Sequence, residues 1–329
     1  MKKALITGIG GQDGSYLAEL LLAQGYEVHG IELPDISMPN LKGIEGRCVL
    51  YRGSLTNHDW LLRVADDAAP QECYHLAASS FVSYRLEDES KILEANIGGT
   101  HNLLTIIRNR APQCRFFFAG TSEMFGQVDH WPQDETTPFR PRSIYGISKL
   151  AGHNLVDYYR RQHGMFACTG ILYNHESPRR GQRFVTRKIS AAVARIKMGL
   201  ERKLVLGNLE AERDWGYAPD YVWAMWRMLQ PEIPCDFVIS SGFLHTVREF
   251  VEKAFSEVGL DYRDFVESSP EFFREEEAVP LFGNAGRIHE TLGWKAEKRF
   301  DEIVSEMVKT DLSISASSAE SVDLLKKET

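Results

Sequence analysis

Seven residues near the start of the chain restrict its fold more than any others: Gly8-Ile9-Gly10-Gly11-Gln12-Asp13-Gly14. They follow an apolar run at residues 4–7. They precede residues 15–24, in which Leu17, Leu20 and Leu21 fall at helical spacing. A strand that turns through glycines straight into a helix opens a βαβ unit. Gly8, Gly11 and Gly14 let the turn tighten, let the backbone approach a pyrophosphate, and let the helix pack on its strand. The free N–H groups and the macrodipole at the helix start, around Gln12 and Asp13, favour such an anion.

The alternation continues downstream. Apolar, β-branched or aromatic runs at 27–32, 48–52, 73–76, 115–119 and 167–172 are separated by helical stretches such as 98–110, with Leu103, Leu104 and Ile107 on one side. Repeated strand–helix alternation predicts a parallel sheet covered on both faces. The expected fold class is therefore α/β, a Rossmann-like doubly wound sheet, over residues 1–172. Beyond Leu172 the rhythm breaks into a loop rich in Arg, Pro and Gly (177–183). An amphipathic helix follows, with Ile189, Ala192, Val193 and Ile196 on one face. Residues 173–312 read as a smaller mixed α/β substrate domain with some interleaving elements. Residues 313–329 read as a tail that frays or docks as a terminal helix.

Composition narrows the function classes. A chain with 43% hydrophobic and 26% charged residues can bury an ordinary globular core. Its net charge of −8 has the wrong sign for tracking nucleic-acid phosphates. No apolar run approaches the ~18–20 residues of a membrane helix. Met1-Lys2-Lys3 leads directly into the first strand, so no signal peptide is expected. Cys48, Cys73, Cys114, Cys168 and Cys235 are odd in number and contain no short pair. Neither a metal site nor a disulfide framework is predicted, and the thiols are expected reduced in a cytoplasmic protein.

Glu32 closes the second strand, where an acidic side chain can accept both ribose hydroxyls and repel a 2′-phosphate. That favours NAD, with NADP as the alternative. Tyr145-Gly146-Ile147-Ser148-Lys149 places a phenol and an ammonium one helical turn apart. The cation lowers the phenol's pKa and makes it a usable base near neutrality, the pattern of short-chain dehydrogenases. The fifth strand runs into Gly120-Thr121-Ser122-Glu123-Met124-Phe125-Gly126, at the sheet edge where such folds place ligands. Thr121, Ser122 and Glu123 there offer hydroxyls and a candidate acid/base; the same residues also suit a helix cap.

Several segments go beyond a generic fold: 4–31, 120–126, 170–189, 213–229 and 259–265, with Gly283-Asn284 and Leu292-Gly293-Trp294-Lys295. Asn174-His175-Glu176-Ser177-Pro178-Arg179-Arg180-Gly181 and Arg213-Asp214-Trp215-Gly216 are the most specific. On these the chain resembles the GDP-mannose 4,6-dehydratase family of the extended short-chain dehydrogenase group. The resemblance implies a hydro-lyase with a tightly bound nicotinamide cofactor. It would convert GDP-mannose to the 4-keto-6-deoxy sugar by C4 oxidation, loss of water across C5 and C6, and hydride return to C6. It implies Thr121, Glu123, Tyr145 and Lys149 as catalytic residues. Ser54, Leu55, Ala77 and Ala78 join the glycine turn and Glu32 at the cofactor. Ser80, Ser122, Asn174, Glu176, Arg179, Lys188, Arg213, Arg274 and Glu277 join Thr121 and Glu123 at the GDP-sugar. The implied assembly is a homodimer, or a tetramer, through helices 98–110 and 145–162.

The chain also departs from the family pattern. Consecutive arginines usual after the second strand are replaced by Glu32-Leu33-Pro34-Asp35. Ser54 stands where an aspartate is usual, Gly120 where a serine is usual, and Glu275-Glu276 beside Arg274 where Pro-Ala is usual. GDP-manno-heptose is an alternative substrate with the same chemistry. A C4 epimerase or dehydrogenase would use Tyr145 and Lys149 without needing Glu123, and a nucleotide-binding protein without turnover would need none of the four.

Overall fold

The computed structural model describes residues 1–80, 86–272 and 280–327. In chain order it begins β1 (Lys3–Thr7), α1 (Gln12–Ala23), β2 (Glu27–Glu32), β3 (Cys48–Arg52), α2 (His58–Ala68) and β4 (Glu72–His75). Next come α3 (Glu89–Leu93), α4 (Gly99–Arg110), β5 (Arg115–Ala119), α5 (Ile144–His163) and β6 (Ala167–Leu172). The chain continues through β7 (Asn174–Glu176), α6 (Val185–Lys197), β8 (Leu204–Leu206), β9 (Glu212–Tyr217), α7 (Ala218–Met228) and β10 (Phe237–Ile239). It ends with β11 (Leu244–Thr246), α8 (Val247–Ser256), β12 (Val266–Ser268), α9 (Gly286–Leu292) and α10 (Phe300–Lys327).

These elements form two compact units. The first comprises Met1–Tyr173, Ala218–Gly242 and Leu281–Lys295; the second comprises Asn174–Tyr217, Phe243–Pro280 and Ala296–Thr329. Residues 173–312, read from sequence as the second domain, thus return α7, β10 and α9 to the first unit. Residues 313–327 continue α10 of the second unit as one helix.

The first unit is built on a seven-stranded parallel sheet in the order β10-β6-β5-β4-β1-β2-β3. The order reverses between β1 and β4, the switch point where open α/β sheets place ligands. Every residue of β4 and β6 is buried. Burial on both faces is why neither shows the apolar–polar alternation of a half-exposed strand. Below the sheet Leu61, Val64, Leu103, Leu104, Ile107, Phe116, Phe118 and Val156 pack into one core. The helix α5 begins at Ser143, whose hydroxyl accepts the Gly146 N–H. It stops at Gly164 in the left-handed region (φ 62°), a cap that side-chain-bearing residues rarely adopt.

In the second unit the stripe Ile189, Ala192, Val193 and Ile196 is buried as the spacing predicts. It packs among Phe250, Val251 and Ala254 of α8 and Val304, Met307 and Val308 of α10. Asp311 of α10 is buried against Arg187 and accepts Ser190 Oγ at 2.7 Å. Among the described residues no helix is long and apolar enough to cross a membrane, and no group of His, Cys, Asp and Glu could hold a metal.

Candidate active site

At the glycine turn Gly8 takes φ +73°, which only glycine adopts without strain. A Cβ on Gly14 would lie 2.3 Å from the Gly8 carbonyl oxygen. Any larger residue would therefore drive α1 off the turn. Gly11 is the N-cap of α1, and no side chain caps that end. A helix N-terminus approached only through glycine backbone fits a dinucleotide's pyrophosphate, so the residues present suit the cofactor. Ala77 lies against this turn: a Cβ on Gly8 would sit 3.0 Å from its Cα. Ala78 is half-buried and Ser80 is exposed.

Glu32 points back at the turn. Its Oε2 accepts the Gly10 N–H at 3.1 Å and its Oε1 accepts its neighbour Leu33's N–H at 3.0 Å. Asn40 Nδ2 donates to the Gly10 carbonyl at 3.1 Å, closing the segment after β2 over the same loop. Ser54 instead serves a local turn: its hydroxyl lies 2.8 Å from that of Thr56 and accepts the Thr56 N–H at 3.2 Å. The Leu55 carbonyl accepts from Asn102 Nδ2 at 3.1 Å.

The residues expected to carry the chemistry gather near the end of β5. Thr121 caps the short turn Ser122–Met124, its hydroxyl accepting the Glu123 N–H at 3.3 Å. Thr121 and Glu123 are half-buried, whereas Ser122 is 4% exposed and turned into the protein. The first turn of α5 packs directly on this segment: a Cβ on Gly146 would lie 2.6 Å from the Glu123 carbonyl oxygen. Tyr145 beside it is 9% exposed. Lys149 is 3% exposed; its Nζ donates to the Ala119 carbonyl at 2.7 Å and sits 4.8 Å from the Phe118 ring centre. Burial lowers its pKa to about 7, so a neighbouring phenolate is the natural partner of its charged form. Gly120 has a local reason: a Cβ there would meet Thr169 Cγ2 at 2.8 Å and the Gly170 oxygen at 3.0 Å.

In the second unit the residues expected at the nucleotide divide. Arg179 and Arg213 are half-buried, and Asn174 opens β7 beside Trp215 of β9. Arg213 also donates to the Glu212 carbonyl at 2.7 Å. Lys188 is exposed and donates to the Val205 carbonyl at 2.7 Å. Glu176 is 2% exposed; its carboxylate accepts the Thr186 hydroxyl at 2.5 Å and pairs with Arg180 at 3.2 Å. These bonds give it a structural task within the loop. Arg274 and Glu277 lie outside the described residues.

Sequence reasoning overlooked the buried polar side chains behind Tyr145: Thr7, His75, Asn96, Thr100 and Ser148, all under 5% exposed. Their sequence signal is weak. Asn96 and Thr100 stand one helical turn apart, and His75 is a polar residue closing an apolar strand.

The parallel sheet, its glycine turn and the Tyr145–Lys149 helix beside the end of β5 define an extended short-chain dehydrogenase. Solved structures share this fold. Among them are a dTDP-glucose 4,6-dehydratase from Bacillus anthracis in complex with NAD and RMD from Pseudomonas aeruginosa complexed with NADPH. The first gives a TM-score of 0.83 at 20% identity, covering 94% of this chain and 96% of that one. The second gives 0.79 at 23% identity, covering 95% and 100%. The family model "GDP-mannose 4,6 dehydratase" matches residues 5–307. GDP-mannose 4,6 dehydratase 2 of Arabidopsis thaliana is 45% identical over 327 residues, 95% of this chain and 87% of the relative. The chain belongs to the GDP-mannose 4,6-dehydratase family.

Proposed function

We propose that this protein is a nicotinamide-dependent hydro-lyase that converts GDP-mannose to GDP-4-keto-6-deoxymannose. The observation that supports the reading is the seating of the Glu123 turn's backbone against Gly146, in the first turn of the helix that carries Tyr145 and Lys149. Epimerisation or simple oxidation at C4 has no need of the Glu123 carboxylate. A bound nicotinamide supplies the hydride acceptor at C4 and the hydride donor at C6. Tyr145 takes the C4 hydroxyl proton, Thr121 hydrogen-bonds O4, and Lys149 holds Tyr145 in its basic form and binds the nicotinamide ribose. The C4 ketone acidifies C5–H. Glu123 removes that proton and delivers it to the C6 hydroxyl, which leaves as water. Hydride returned to C6 completes the methyl group and C5 regains a proton as Tyr145 gives up the one it took, so one water is lost with no net change in redox state. In the second unit Asn174, Arg179 and Arg213 are the proposed nucleotide contacts. A guanidinium fork matches phosphate oxygens in pairs.

For the cofactor we propose NAD. The Glu32 carboxylate faces the glycine turn through Gly10, where it would accept ribose hydroxyls and repel a 2′-phosphate. Exposed Ile147 and Tyr158 lie on one side of α5 and support a homodimer through α4 and α5. Buried thiols at Cys73, Cys114 and Cys168 suit a reducing cytoplasm. Proton NMR of the purified enzyme with GDP-mannose and trace NAD tests the central claim. A new C6 methyl signal without net NADH is expected. Substrate loss without a methyl, or accumulating NADH, would overturn it. Sedimentation as a monomer at micromolar concentration would reject the dimer.

A further inference from the structure

The overlooked polar residues form two runs of hydrogen bonds that meet at Asn96, and their direction can be worked out. Thr7 Oγ1 accepts the N–H groups of Leu76 at 3.2 Å and Ala77 at 3.1 Å, so its own proton is free for His75 Nδ1, 2.8 Å away. With Nδ1 an acceptor, the neutral ring carries its proton on Nε2, which donates to Thr100 Oγ1 at 2.9 Å. Thr100 in turn donates to the Asn96 carbonyl at 2.6 Å. Asn96 joins the two runs: its backbone carbonyl ends the first, and its side chain begins the second. Oδ1 accepts the Ser79 N–H at 2.9 Å, which leaves Nδ2 to donate to Ser148 Oγ at 2.9 Å. Ser148 donates to the Tyr145 carbonyl at 2.8 Å. Apart from a second, longer bond from Asn96 Nδ2 back to the Ser79 carbonyl at 3.4 Å, the side-chain donors point one way, from the strand before the glycine turn to the main-chain carbonyl of the residue proposed as the base.

Two further features mark the chain as more than core filling. Asn96 lies in a π-helical turn, Glu94–Gly98, between α3 and α4. Such turns sacrifice regular helix bonding and recur at functional sites. At the other end, Ala77 packs on Gly8 of the cofactor turn. Burial, with the Lys149 charge second, lowers the His75 pKa to about 3. The ring therefore keeps the one-donor, one-acceptor form that the chain requires.

We propose that His75 is a positioning residue for the dehydratase reaction: acting through Thr100, Asn96 and Ser148, it fixes Tyr145 relative to the glycine-turn end of the sheet. The proposal rests on the dehydratase reading for its kinetic consequence but not for its structural one.

Thr100→Val keeps the branched shape and removes the hydroxyl at the middle of the chain, and Thr100→Ser restores it. Ser148→Ala breaks the last link by deleting a single oxygen, so a folded variant is available even where Thr100→Val is not. With GDP-mannose, kcat per folded site falls about tenfold in Thr100→Val and Ser148→Ala while KM stays within about twofold, because small misplacements at a reacting centre cost rate rather than binding. Thr100→Ser returns kcat to near the wild-type value. In parallel, the ¹³Cζ resonance of Tyr145 in ¹³C-tyrosine-labelled protein shifts in the two broken variants and returns in Thr100→Ser. Unchanged kcat together with an unmoved Tyr145 resonance in either folded variant overturns the proposal. The resonance needs no turnover, so an enzyme inactive on GDP-mannose would defeat the dehydratase reading while the resonance still decides the role of His75.

Discussion

The four-residue strand β4 begins and ends with a buried polar side chain, and the two are held in opposite ways. Glu72, 0% exposed, is a fully satisfied carboxylate. It accepts from the Lys2 ammonium, the Tyr74 hydroxyl at 2.7 Å, Gln230 Nε2 at 3.1 Å and the Tyr26 hydroxyl at 3.3 Å. Its donors lie just before β1, just before β2, in β4 itself and just past α7, and they tie the far edge of the sheet together. His75, 1% exposed, has a single bond on each ring nitrogen and belongs to a chain that ends at Tyr145. One end collects donors and closes in on itself. The other passes a hydrogen bond onward. A short strand can thus anchor the fold at one edge and serve chemistry at the other.

Substitutions can separate the two edges. The largest effect belongs to the catalytic edge. Tyr145→Phe should lower kcat by about 10³-fold, within the range for loss of a general base, while Tm moves little. An unfolded variant would place Tyr145 with the anchoring residues instead. Glu123→Gln should cost about 10²-fold in methyl formation. Deuterium exchange at C5 should be lost with it; if C5 still exchanges at the wild-type rate, another group is the C5 base. At the anchoring edge Glu72→Gln should cost about 2 kcal/mol in urea unfolding, since its bonds to a charged acceptor become neutral ones. Turnover per folded site should stay at the wild-type value, and a drop would blur the contrast between the edges.

The last contrast is a pH slope. Burial places the Lys149 pKa at about 7, below its ordinary 10.5. Between those values the unfolded chain holds a proton that the folded chain has lost, so stability from this group rises with pH. Below pH 7 the burial penalty is fully present. Lys149→Met should therefore stabilise the protein most at and below pH 7. The advantage should shrink by up to about 1.4 kcal/mol per pH unit toward pH 10. A constant difference across that range would mean the ammonium is not desolvated.

What could be read beforehand was what lies close together in sequence. The glycine turn, the Tyr145–Lys149 turn and the apolar stripe at Ile189–Ile196 are local patterns, and each folds as its spacing predicts. Hydrophobic periodicity cannot see a polar residue whose burial is made tolerable by partners far along the chain. Read from apolar content, β4 starts at Cys73, yet the strand runs Glu72–His75, because Glu72 finds Lys2 and Gln230. The return of α7 and β10 to the first unit depends on Phe237–Ile239 pairing with Gly170–Leu172, a register that no local pattern encodes. Glu176 shows the same limit at the site. A motif marks the position, but only packing reveals that Thr186 and Arg180 already claim its carboxylate.

The absent side chain at Gly146 acts as a gauge. With 2.6 Å between the point where a Cβ would stand and the Glu123 oxygen, a single methyl group there would work as a shim. It would prise the helix of Tyr145 and Lys149 away from the turn of Thr121 and Glu123 while leaving all four functional groups chemically intact. The clearance between the backbone that carries the group proposed to serve C4 and the backbone that carries the group proposed to serve C5 and C6 is therefore set by a carbon atom the protein does not have.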